Sequence, residues 1–281
     1  MDSAEQVFVG CEAAYDEASM VLFGAPFETG KSRQIGVNRA PRAVRKCSAR
    51  IETFSPYLHV ELRDLKIHDA GDLALSEFST AAVLETIESF CGKIHDNEKM
   101  PVMIGGEHIV TFGAVRAAVT RWPNLAVLYF GAHTNLRREF EGEFFSCHTI
   151  MRRVWDLIGD GRIYQFGVRS GGREEFTWAT DHVRMELESA NSIDSCAEAV
   201  LSRQVYITVG LDVLDPAEFS GTSLPEAGGM SYKALHDALL SLRGLDVVGF
   251  DICGLSPRYD RSGASTALAC KLLREMLITF S

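Results

Sequence analysis

The stretch VLYFGAHTNLR, Val127 to Arg137, decides how the chain is read. Its apolar and aromatic first half is too short for a helix and stops at a glycine, the pattern of a buried strand. Its second half puts Gly131, His133 and Asn135 just beyond that strand. In open parallel sheets, ligands bind past the carboxyl ends of the strands.

Working outward, the same kind of run recurs as MVLFGAP (20–26), PVMIGG (101–106), RIYQFGV (162–168), VYITVGLDV (205–213) and VVGFDIC (247–253). Amphipathic patterns lie between several of them. In STAAVLETIESFCGKI, Val83, Ile87, Phe90, Cys91 and Ile94 recur at three- and four-residue steps, and the C-terminal STALACKLLREMLITF has the same period. Near-continuous apolar strands alternating with such helices imply an α/β fold, a three-layer αβα sandwich with a mostly parallel central sheet. With no internal repeat and no Pro/Ser-rich linker, residues 1–281 read as a single domain.

The formal charge of −10 argues against a nucleic-acid partner. No apolar run reaches the roughly 18 residues that span a membrane, and the N-terminus lacks the pattern of a signal peptide. Seven cysteines without paired spacing fit reduced thiols and a cytoplasmic location.

The loops that follow the strands resemble those of the ureohydrolases, the family of arginase and agmatinase, and the likeness is closest to agmatinase. It runs from FGAPFETG and QIGVNRAPRAVR through HDAGDL, IGGEHIVTFGAV, QFGVRSGG and LDVLDPAEFSGT to FDICGLSPRYDRSGASTALACKLLREML. The resemblance implies a parallel αβα sandwich assembled into trimers or hexamers. It also implies hydrolysis of a guanidino group to urea by a hydroxide bridging two manganese ions.

Carried over residue by residue, it implies a reduced metal set. His108 matches the histidine of the GGEH block. The DAHTD block becomes Gly131, His133 and Asn135, and the two aspartates of DIDVLDP become Gly210 and Asp212. Three ligands remain and three are gone, both bridging carboxylates among them. SHAT becomes SCHT, with Cys147 at the histidine position and His148 after it. GTGTPE becomes Gly221 to Glu226, Ile109 replaces a small hydroxyl residue, and Gly254 stands where the family holds the guanidinium with an acid. Two Mn²⁺ ions need hard oxygen ligands and bridging carboxylates, which glycine cannot supply.

The expectation is an agmatinase-like protein without dimanganese hydrolysis. It would be a non-catalytic or regulatory subunit, as a homo-oligomer (trimer or hexamer) or a hetero-oligomer with an active relative. It would carry no cofactor or a single divalent metal. The alternative is a hydrolase of a guanidino compound or amide, with one metal on His108, His133 and Asp212. Its candidate catalytic residues are His148 as proton shuttle and Glu226, and a third reading is metal-free chemistry with Cys147 as nucleophile. The plainer reading of these groups is a hydrogen-bonded remnant and a buried thiol. Gly131, Gly210 and Gly254 either permit turns or open a larger, less acidic pocket. Arg33, Arg39, Arg42 and Arg45 suit surface salt bridges better than an anion site, and Asp215, Pro216 and Gly221 look structural.

Overall fold

In the computed structural model, which describes residues 6–31, 34–75 and 79–281, the six apolar runs become six strands. They are β1 (Met20–Ala25), β5 (Met100–Gly105), β6 (Ala126–Phe130), β7 (Ile163–Val168), β9 (Gln204–Gly210) and β10 (Asp246–Cys253). Two more complete the sheet, β4 (Ile67–Asp72) and β8 (Arg184–Leu187), in the order β4-β1-β5-β10-β9-β6-β7-β8 with every pairing parallel. A separate antiparallel pair joins β2 (Phe54–Ser55) to β3 (Val60–Glu61). The sequence places the LDV of residues 211–213 inside a strand. Those residues instead form a 3₁₀ turn that begins where β9 stops.

Alternate strand residues point to opposite faces, and each face has its own core. Met20, Leu22, Leu128, Phe130, Ile207 and Ile252 meet α1 (Ala40–Ser48), α6 (Ile193–Val200), α7 (Tyr232–Ser241) and α8 (Ala264–Thr279). Val21, Phe23, Val127, Tyr129 and Tyr206 meet α2 (Thr80–Asp96), α3 (Thr111–Arg121), α4 (Ile150–Ile158) and α5 (Arg173–His182). This is the three-layer sandwich expected. In α2 the anticipated stripe is buried at Val83, Ile87, Cys91 and Ile94, with Leu84 added, while Phe90 is half-buried.

The sheet's outer edges are short or covered. The stretch before β1 lies against β4: the Ala13 N–H donates to the Ile67 carbonyl at 3.0 Å and the Asp69 N–H to the Cys11 carbonyl at 3.0 Å. At the other edge β8 has four residues and pairs with β7 through a register shift. All seven cysteines are free thiols. Among the described residues no helix is long and apolar enough to cross a membrane.

The arginine-rich stretch departs from expectation at one position. Arg39 and Arg42 are exposed, as surface charges should be, and Arg33 lies outside the described residues. Arg45 is buried, with Nε and Nη2 each 2.8 Å from an Asp69 carboxylate oxygen and Nη1 bonded to Asp72. It ties α1 to the edge strand β4. Asp215 organises the long loop after β9 by accepting N–H bonds from Ala217, Gly228 and Gly229 at 2.9, 2.9 and 3.0 Å.

Candidate functional site

Four neighbouring central strands, β5, β10, β9 and β6, end side by side. Their carboxyl ends deliver His108, Gly254, Asp212 and His133 to one place. His133 Nδ1 and Asp212 Oδ2 are 2.7 Å apart, and the Ala132 N–H also donates to Asp212, at 3.4 Å. Asp212 is buried, and 19% of the His133 side chain is exposed.

Burial opposes a charge on the His133 ring, but the hydrogen bond and charge of Asp212 outweigh it and raise its pKa above the usual 6.5. Burial also opposes the Asp212 carboxylate, yet the same bond holds its pKa below the usual 3.8. Both shifts favour the charged forms, and linkage fixes the pH window of the ion pair. Its full contribution to stability lies between those two usual values. It is lost as pH falls through the lowered pKa of Asp212, and again as pH rises through the raised pKa of His133. The His133 ring is therefore expected to titrate above 6.5 by NMR, and lower when Asp212→Asn removes the charge. A wild-type midpoint at or below 6.5 would contradict the ion pair.

His108 faces a different set of partners. Its Nε2 is 2.8 Å from Thr208 Oγ1, whose hydroxyl donates to Asp251 Oδ1 at 2.7 Å, and Tyr206 OH donates to Asp251 Oδ2 at 2.8 Å. The Thr208 proton is thus committed to Asp251, so His108 donates from Nε2 and turns the Nδ1 lone pair toward Gly210. Burial lowers the His108 pKa, which keeps the ring neutral.

The glycines do not leave open space at two of the three strand ends. A Cβ on Gly131 would lie 2.0 Å from the Tyr129 hydroxyl and 2.3 Å from Cζ of the same ring. Tyr129 fills that volume from the same face of the chain, two residues earlier. Its hydroxyl donates to the His133 carbonyl at 2.8 Å and accepts from the Asn135 amide at 3.0 Å, and its ring stacks on His108 with centroids 5.5 Å apart. At Gly210 a Cβ would meet Asp212 Oδ1 and His108 Cε1, each at 2.8 Å. The enlarged pocket weighed from the sequence is therefore closed at both places. Gly254 alone is open, with nothing nearer than Gln34 Nε2 at 3.8 Å. Its φ of +87° favours glycine there on backbone grounds.

The structure also places the remaining candidate residues. His108, His133 and Asp212 border one another, but their ligand atoms do not form a compact set. Among the described residues, the three-residue cluster with all ligand atoms within 4.8 Å of one another is His108, Asp251 and Cys253. Cys147 is buried, and burial, reinforced by Glu107, pushes its thiol pKa well up, so it is no ready nucleophile. His148 packs on Phe140 and shares with His133, Asn135 and Arg137 a cleft of about 220 Å³. The Glu226 carboxylate reaches His133 only through its charge, while its carbonyl oxygen is 2.8 Å from Arg169 Nη2.

Arg169 was missed from the sequence. Its guanidinium also donates to the carbonyls of Gly167, Asp212 and Ala227, at 2.9, 2.8 and 3.1 Å, pinning the loop that carries Asp212. Asp251 gave a readable signal, a charged residue inside the apolar run VVGFDIC.

Residues 18–279 match the family model described as the arginase family. An agmatinase of Bacillus cereus is 37% identical over 278 residues, covering 97% of this chain and 96% of that protein. The crystal structure of the agmatine ureohydrolase of Thermoplasma volcanium superposes with a TM-score of 0.91 at 31% identity, covering 99% of this chain and 95% of that one. Proclavaminate amidinohydrolase of Streptomyces clavuligerus gives 0.88 at 26% identity, covering 99% and 97%.

Proposed function

This chain belongs to the arginase family, and from that premise we propose that it is an agmatinase-like protein that does not carry out dimanganese hydrolysis of a guanidino group. It serves as a non-catalytic or regulatory subunit in the cytoplasm, in a trimer or hexamer of itself or in a mixed assembly with an active relative.

One observation carries the reading. The volume in front of Gly131 holds the Tyr129 ring, hydrogen-bonded on both sides and stacked on His108. Divalent metal binding is ordinary in this family, and the groups present decide whether such a centre fits. The Asp212 carboxylate is engaged by His133, and Asn135 offers a neutral amide already given to Tyr129. A bridged pair of Mn²⁺ ions brings four positive charges and needs oxygen anions between them. These groups do not fit that pair.

A second reading has the relatives' names in its favour. The identity to an agmatinase over nearly the full length supports hydrolysis of a guanidino compound, which in this reading would run on a single metal. One experiment separates the two. The purified chain, dialysed with excess Mn²⁺, is assayed for urea release from agmatine and for manganese per chain. The expected outcome is no urea above the blank and no tightly held manganese. Two manganese ions per chain with urea release would overturn the proposal, and urea release with one ion would establish the second reading.

A further inference from the structure

Behind the His133–Asp212 pair, on the side of the sheet covered by α2 and α3, lies a second polar cluster. A ring nitrogen of His108, a carboxylate oxygen of Asp251 and Cys253 Sγ all lie within 4.8 Å of one another, and the three side chains are buried. The backbone brings them together. Asp251 and Cys253 are two apart on β10 and share a face, His108 follows the adjacent β5, and Thr208 pairs in register with Asp251 from β9. Cys253 Sγ is 3.5 Å from Asp251 Oδ1. That is about the spacing of a sulfur and an oxygen on one tetrahedral ion, given metal distances of about 2.3 and 2.0 Å. Thr208 Oγ1 stands 2.8 Å from His108 Nε2 and 2.7 Å from Asp251 Oδ1, a further oxygen in the same place.

We propose that His108, Asp251 and Cys253 form a buried site for a single Zn²⁺-type ion, with the Thr208 hydroxyl beside it. Thiolate and imidazole donors select zinc over manganese, which prefers oxygen. The site differs from the family-type arrangement at the strand ends in two of its three donors. It rests on the proposed function in one respect, since a dimetal centre would claim His108. Binding is not redox. The Cys253 thiol gives its proton to solvent, the thiolate and the Asp251 carboxylate take the ion, and the His108 ring shifts its proton from Nε2 to Nδ1, so that the freed Nε2 lone pair exchanges its bond to Thr208 for one to the metal. With the three donors buried and the Thr208 hydroxyl at the fourth position, such an ion is structural.

The test uses the full chain, stripped with a chelator and reloaded with Zn²⁺ or Co²⁺. One zinc per chain is expected, with a single sulfur neighbour at about 2.3 Å in the zinc-edge absorption spectrum. The cobalt form should show a near-ultraviolet thiolate-to-metal band that Cys253→Ser abolishes and Cys147→Ser leaves. Cys253→Val serves if the serine variant does not fold, and the zinc-edge spectrum of the wild-type chain needs no variant. Failure to retain any ion would overturn the proposal and leave a hydrogen-bond network only. An ion with no sulfur neighbour, or one kept by Cys253→Ser and lost by His133→Ala, would overturn it equally. An ion held through His133 would point to the metal set of the second reading, whereas the proposed function itself falls only to urea release.

Discussion

Gly131→Asp is expected to destabilise the fold by roughly 3 kcal/mol, and the same substitution in a Tyr129→Ala background to cost far less. The first figure sits at the upper end of overpacking penalties, about 1–3 kcal/mol. A Cβ at position 131 falls 2.0 Å from a phenol oxygen that cannot retreat. The ring is fully buried, its hydroxyl is bonded on two sides, and one of its faces lies on His108. The new carboxylate would also stand near Asp212 in a poorly hydrated pocket, and like charges so placed disfavour each other. Tyr129→Ala alone should cost about 3–5 kcal/mol, as for other large aromatic truncations in cores. It empties the same volume and strands the Asn135 amide. The two changes are complementary, so the double variant should be more stable than the sum predicts by about 2 kcal/mol, well within the range for residues in contact. Urea unfolding of the four proteins measures this. Additivity to within about 0.5 kcal/mol would mean that Tyr129 is not what fills the space before Gly131.

Arg45→Ala should be the other severe change, costing about 3–5 kcal/mol, the usual result of removing one partner from a buried pair. The Asp69 side chain is 1% exposed and, among the described residues, would keep only the Phe8 and Gly71 N–H donors, at 2.8 and 3.0 Å. Arg45→Lys should recover only part of the loss, because the two 2.8 Å contacts to Asp69 use the planar fork of guanidinium, which an ammonium cannot reproduce. Denaturant midpoints of both variants decide it. A loss below about 1 kcal/mol would place the pair among exposed salt bridges.

The apolar runs were enough to foretell β1, β5, β6, β7, β9 and β10, because strands buried on both faces show as uninterrupted hydrophobic stretches. β4 and β8 escaped for the converse reason. They lie at the edges, and IHDAGD and RMEL mix charge with apolar residues. The positions of His108 and His133 beyond strand ends were legible from local sequence, while Asp212 read as strand. Their partners were not. Whether His133 meets Asp212 or a shared metal depends on residues 79 apart, and no local pattern records that distance. Tyr129 reads from its local sequence only as part of a strand. The period-2 rule puts it on the face of Gly131, so its occupation of that space could have been foreseen. Burial of Arg45 could not, since its partners Asp69 and Asp72 lie on a strand the sequence did not mark.

The covered and shortened margins of the sheet also bear on how this protein leaves solution. An open row of unpaired amides is a template on which a second chain can add, and parallel sheets are exposed to that hazard while they form. Here the segment through Cys11 and Ala13 blocks one margin, and the other offers only a brief, bulged, charged strand. Native molecules therefore have little means of propagating a fibril edge to edge. Precipitation on heating would begin from opened chains whose two buried faces meet water, and its rate should follow the unfolded population rather than the concentration of intact protein.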